Sequence, residues 1–89
     1  MTKKETLEAL EDLAKKLSYE VSYEALKKTA PYVKSGTVKL EERKMILIEK
    51  DLSTDRRIEV ILNVIKDEEL DGIFIKPFIK DLINKFRHM

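Results

Sequence analysis

Apolar residues recur at spacings of three and four from Leu7 to Leu17 and alternate from Tyr19 to Tyr23. They are consecutive from Met45 to Ile48 and return to helical spacing from Ile58 to Ile65 and from Phe78 to Phe86. Thr2 and Glu5 form a T-x-x-E capping box, in which hydroxyl and carboxylate each satisfy an orphan backbone N–H. With Leu7, Leu10, Leu13, Ala14 and Leu17 on one stripe, this predicts a helix from about Thr2 to Leu17. On its other face, Glu11–Lys15 and Asp12–Lys16 are i,i+4 pairs in the favourable order, worth ~0.2–0.5 kcal/mol each. Tyr19, Val21 and Tyr23 alternate with Glu20 and Ser22, the period of a half-buried strand. The following "EALKKTAPYVKSG" reads as an irregular connection, because Pro31 and Ser35-Gly36 interrupt any regular element.

"TVKLEERKMILIEK" predicts a hairpin whose polar turn is "EERK". Met45 to Ile48 are apolar on both strand faces, so that strand is covered on both or central in its sheet. Ser53 then caps a helix, and Asp55 sits in the first turn, where the helix dipole favours an anion. Ile58, Ile61, Leu62 and Ile65 make its main stripe, and Val60 and Val64 widen it beyond the usual ~100°. All but Leu62 are β-branched, which lowers helix propensity, so tertiary burial must hold this helix. It is expected to end near Leu70, with Gly72 in a left-handed C-terminal position. Ile73-Phe74-Ile75 reads as a short extended segment. Pro77 fits the first turn of a last helix, and Phe78, Ile79, Leu82, Ile83 and Phe86 form its stripe, ending near Arg87.

The expectation is one α+β domain over residues 1–89, a two-layer sandwich in the order αβββαα with a small antiparallel sheet. Val60 and Val64 lie to one side of their stripe and need a second cover. The last helix can supply it through Phe78, Leu82 or Phe86, and so can a partner subunit. Val60, Val64, Phe78 and Phe86 are therefore the candidate interface.

Composition narrows the classes. Apolar residues at 43% argue against global disorder, and charged residues at 39% provide a solvated surface. A net charge of +1 gives no global pull toward nucleic acid or an anionic membrane. Without cysteine there is no disulfide, thiolate zinc site or cysteine nucleophile, and the chain suits a reducing cytoplasm. The charged N-terminus has no apolar core of a secretory leader, and "MILI" and "VIL" are too short to cross a bilayer.

"KMILIEKDLSTDRRIEVILNVIKDEEL" resembles the entry to the active-site helix of ImmA/IrrE-type zinc metallopeptidases, over about a quarter of the chain. There an apolar strand ends in a Leu-Ser loop, and the next helix carries His-Glu-x-x-His. The chain is also similar in element order to small bacterial proteins in which a "Leu-Ser" helix precedes a "Y-I-P-P" helix; Phe74-Ile75-Lys76-Pro77 answers to that motif imperfectly. Aligned on Leu52-Ser53, the His-Glu-x-x-His positions fall on Asn63, Val64 and Asp67. Neither histidine nor the glutamate is present, and catalytic zinc needs about three protein ligands. The resemblance thus implies a scaffold without the chemistry.

Asp67-x-Glu69-x-Asp71-Gly72 imitates the first half of an EF-hand loop, but Phe78 stands where the bidentate glutamate belongs. It reads as a solvated helix end. Lys27, Lys28, Lys34, Lys39, Arg43 and Lys44 face only Glu41 and Glu42, a local +4. No arginine–aromatic interleaving accompanies them, so solvated loops are the plain reading and a phosphate contact the sharper one. His88 is next to the chain end with no positioned acid, and no serine has a histidine to activate it. Arg56 and Arg57 are balanced locally by Asp55 and Glu59. Tyr19, Tyr23 and Tyr32 read as packed aromatics with wet hydroxyls.

These readings predict a non-catalytic protein-interaction or regulatory module, with no enzyme activity, cofactor or metal. Its partner is a protein, a second copy included, with no membrane. A weak nucleic-acid binder using residues 27–44 is the first alternative, and a degenerate metallopeptidase-like enzyme the second. For the first alternative the local +4 sets the ceiling. Nucleic-acid binding should be no tighter than the ~10⁻⁴–10⁻⁶ M of nonspecific contact at physiological salt. A salt-resistant, sequence-dependent gel shift would contradict that.

Overall fold

The first helix, α1 (Lys3–Lys16), begins as its capping box requires. The Thr2 hydroxyl accepts the Glu5 N–H at 3.1 Å, and the Glu5 carboxylate accepts the Thr2 N–H at 3.3 Å. Its stripe buries Leu7, Leu10, Leu13 and Ala14. Ser18 follows with φ 71°, the left-handed residue that turns the chain out of the helix and into the first strand. The computed structural model describes residues 1–26, 36–40 and 43–88, with the side chains of 36–40 and 43 outside that description.

Three strands form one sheet: β1 (Tyr19–Glu24), β2 (Gly36–Leu40) and β3 (Arg43–Glu49). Its spatial order is β1-β3-β2, so the doubly apolar β3 is central. β2 runs antiparallel to β3, with Leu40 opposite Arg43 and Lys39 opposite Lys44. β1 instead runs parallel to β3, pairing Tyr19 with Lys44, Val21 with Ile46 and Tyr23 with Ile48. The expected small antiparallel sheet is therefore corrected: the sheet is mixed, and the strands do not lie side by side in chain order. A short connection takes one edge of β3 for β2, which leaves β1 the other edge. A parallel neighbour needs a crossover of a dozen or more residues, and residues 25–42 supply it with β2 inside. Alternation within β1 is the same for either strand direction, so its sequence carries no sign of this. Leu26, just after β1, is buried with helical backbone; the rest of the connection expected to be irregular, 27–35, lies outside the described residues.

The second helix, α2 (Thr54–Ile65), starts where Ser53 accepts the Arg56 N–H at 3.3 Å. It ends at Ile65, with Lys66 as C-cap, rather than near Leu70. Asp67, Glu68 and Glu69 would have prolonged it at the negative end of its own dipole. Arg87 offers an alternative to the freed carbonyls: its Nε donates to the Lys66 carbonyl, and a terminal guanidinium N–H donates to the Glu68 carbonyl at 2.9 Å. Gly72, at φ 81°, serves a separate turn closed by the Ile73 N–H on the Leu70 carbonyl at 3.3 Å.

The last helix, α3 (Pro77–Arg87), has its proline in the first turn and buries Ile79 and Ile83. Leu82 and Phe86 are partly buried against the core. Phe78 departs from the expected stripe and is 48% exposed. α1 packs on β1 and α2, α2 also reaches β2 and β3, and α3 closes over α2 and α1. Leu10 and Ala14, Ile46 and Ile48, and Ile61 and Ile65 are fully buried in the shared core. Val60, Val64 and Ile58 are partly buried against it, so the wide apolar face of α2 is largely covered within the chain.

Because Ile61 sits with no exposure between sheet and helices, Ile61→Ala should cost ~2–5 kcal/mol, the transfer loss plus a cavity. Urea unfolding measures this. A change within ~0.5 kcal/mol of the parent would place Ile61 at the surface.

Candidate functional site

β1 carries a tyrosine toward each of its ends, and each is built into a small polar cluster. Tyr19, 7% exposed, donates its hydroxyl to Glu68 at 2.5 Å. The Lys44 ammonium lies 4.5 Å from the Tyr19 ring centre and 3.9 Å from the same Glu68 carboxylate. Burial, and then the adjacent Glu68 acceptor, push the Tyr19 hydroxyl up to about 12. Tyr23 donates its hydroxyl to Glu11 of α1 at 2.6 Å. Arg57 stacks over the Tyr23 ring at 4.7 Å and spends its N–H groups on the carbonyls of Leu52 at 3.1 Å and Lys50 at 2.6 Å. Burial foremost, then Glu11, raises the Tyr23 hydroxyl well above its ordinary value. These hydroxyls are not left wet as expected; they tie β1 to α1 and to the chain after α2. In each cluster the phenol is held neutral rather than activated, so both read as structural ties.

The surface around residues 73–79 is different in kind. After the Gly72 turn the chain has no regular secondary structure, and Ile73 and Ile75 pack partly against the core. Between them Phe74 faces outward and is 78% exposed. On one side of Phe74 lies a groove of about 200 Å³ against α1, floored by Ala9, Leu13, Ile75 and Ile79 and rimmed by Asp12, Lys16 and Lys76. On the other side a larger, more polar depression of about 350 Å³ runs between Leu70, Ile73, Ile83 and the charged Asp71, Lys80 and Arg87. Lys76 is the N-cap of α3, with no side-chain cap, and the first turn of α3 has no acidic residue. The Glu5 carboxyl is lowered by its Thr2 hydrogen bonds first, and less by the N-terminal ammonium and Lys76.

The expected site residues are scattered. Of the candidate interface, Val60, Val64 and Phe86 are partly buried, and only Phe78 reaches the surface as a large apolar side chain. Of the basic segment, Lys27, Lys28 and Lys34 lie outside the described residues, as do the side chains of Lys39 and Arg43. Lys44 is engaged by Tyr19 and Glu68. Arg56 pairs with Glu59 at 3.1 Å, but Asp55 pairs with Lys3 at 2.9 Å, and Arg57 turns to Tyr23 rather than to either carboxylate. Among the positions that answer to His-Glu-x-x-His, Asn63 is exposed on α2, Val64 is half-buried and Asp67 lies beyond the helix end. Among the described residues, no three His, Asp or Glu side chains gather as a metal site would need. Phe74 was missed because a lone aromatic between two isoleucines reads as strand core. The signal available was its setting, a large apolar residue in a short segment between Gly72 and Pro77.

The Tyr19 cluster makes a pH prediction. The folded state holds the neutral phenol, so its contribution is complete below the ordinary tyrosine value of ~10 and is lost as pH rises from there through about 12. Tyr19→Phe should lower stability by about 1 kcal/mol at neutral pH, and urea midpoints taken at rising pH should fall less steeply above ~10 than in the parent. An unchanged alkaline slope would contradict the tie to Glu68.

No family model, no curated protein and no solved structure matches the chain.

Proposed function

We propose that this chain is a non-catalytic protein-interaction module acting in the cytoplasm, and that it meets its partner through the face centred on Phe74. The observation that carries this is the outward Phe74 ring, 78% exposed, beside an apolar-floored groove. A phenylalanine held in water forgoes about 1.5–3 kcal/mol of burial, which a partner recovers on binding. Phe78, at 48% exposure, adds a second aromatic on the next element. The groove, at about 200 Å³, has room for one or two side chains. The engagement of Lys44 by Tyr19 and Glu68 weakens the nucleic-acid alternative at the one basic-segment side chain the structure describes.

A photo-crosslinking phenylalanine analogue placed at Phe74 should capture a discrete protein adduct in the cells that make this chain. The same analogue at the exposed Asn63 should not. Phe74→Ser should stay within ~0.5 kcal/mol of the parent in stability, as an exposed substitution does, while abolishing co-purification of the captured protein. Equal crosslinking from both positions, or none from Phe74, would contradict the reading.

A further inference from the structure

We infer that the Phe74 face docks an acidic segment of its partner, one that carries a bulky apolar anchor between carboxylates. This names the partner class of the interaction face proposed above and rests on that reading. The floor of the groove offers apolar surface through the half-buried Ala9 and Ile75, over the buried Leu13 and Ile79, and suits an apolar side chain. Its surroundings decide what flanks that anchor. Lys16, Lys76, Lys80 and Arg87 border the two depressions beside Phe74, against only Asp12 and Asp71. This face is therefore net positive although the whole chain is close to neutral at +1. Arg87 is held by the carbonyls of Lys66 and Glu68. None of the described ion pairs engages Lys16, Lys76 or Lys80; Lys76 acts on the Glu5 carboxyl at longer range, and Lys16 and Lys80 lead the charge open to a ligand.

Carboxylates arriving beside the anchor meet these lysines at short range. The start of α3, without an acidic residue in its first turn, adds to the same positive field. A second copy of the chain would bring this positive face against itself, so charge complementarity favours the acidic partner over self-association. Helix-in-groove recognition has this form: apolar anchors set the pose, and flanking charge selects the partner.

The test uses the full chain, labelled for amide NMR, and three fluorescent peptides. The first sets a leucine–phenylalanine anchor among glutamates, the second replaces the glutamates with lysines, and the third replaces the anchor with serines. The glutamate peptide should bind and shift the amides of Ala9, Leu13, Phe74 and Ile79. The other two should bind at least about tenfold more weakly. Lys16→Glu combined with Lys76→Glu should weaken the glutamate peptide by about tenfold or more and remove most of its salt dependence. Equal binding of the lysine peptide, shifts confined to another face, or no binding of the glutamate peptide would overturn the acidic class. Concentration-dependent sedimentation abolished by Phe74→Ser would overturn it in favour of a second copy. Photo-crosslinking at Phe74 separates the two failures: an adduct without peptide binding rejects the acidic class alone, and no adduct rejects the interaction face itself.

Discussion

Ile46 and Ile48 lie on the central strand with no exposure, between β1 on one edge and β2 on the other. Keeping them dry is the constraint from which the rest of the arrangement follows. Their backbone needs partners on both edges, because a buried N–H or C=O left unpaired costs free energy comparable to a lost hydrogen bond. Their side chains need a cover, which α1 and α2 provide through Leu10, Ala14, Ile61 and Ile65. The β-branched α2, poor in intrinsic propensity, is helical because this contact holds it.

The tyrosines of β1 show how a small sheet is kept in register. Tyr19 and Tyr23 share one face of the strand, and each reaches a carboxylate distant in sequence: Glu68 beyond α2, and Glu11 on α1. A cation stacks on each ring, Lys44 from β3 and Arg57 from α2. A one-residue slip of β1 would move both rings to the opposite face and break both clusters together. Parallel pairing of a short edge strand has few local guides, and these two ties specify its register from outside the ladder.

Against so tied a frame, the 73–79 segment stands out. Its isoleucines face inward, and its phenylalanine is left in water among lysines that no described ion pair engages. Among the described residues, the hydroxyls of Tyr19 and Tyr23 and the guanidinium of Arg57 are used for internal contacts, and Phe74 is the most exposed aromatic. That contrast between committed and uncommitted side chains points to Phe74, more than the size of the neighbouring groove does.

Much of the local structure was legible in the residues. Thr2 and Glu5 announced α1, Ser53 announced α2, Pro77 announced α3, and the doubly apolar Met45–Ile48 marked a central strand. Each of these signals acts within a few residues, through a cap, a fixed φ or a side-chain period, so the chain states them directly. The end of α2 was misread, because what ends it there includes Arg87, some twenty residues away, taking the carbonyls of Lys66 and Glu68. The direction of β1 against β3 was misread because a strand's alternation is identical in parallel and antiparallel pairing. The Tyr19–Glu68 tie was not legible, and the exposed face of Phe74 was hinted at only by its place between Gly72 and Pro77. The first joins residues separated by most of the fold. The second depends on which way a short irregular segment turns once Ile73 and Ile75 have found the core. By itself the sequence determined where α1, α2 and α3 start and that β3 is central. Strand direction, cross-chain ties and the side chain left facing water were decided by packing, because each depends on which distant surface arrives opposite.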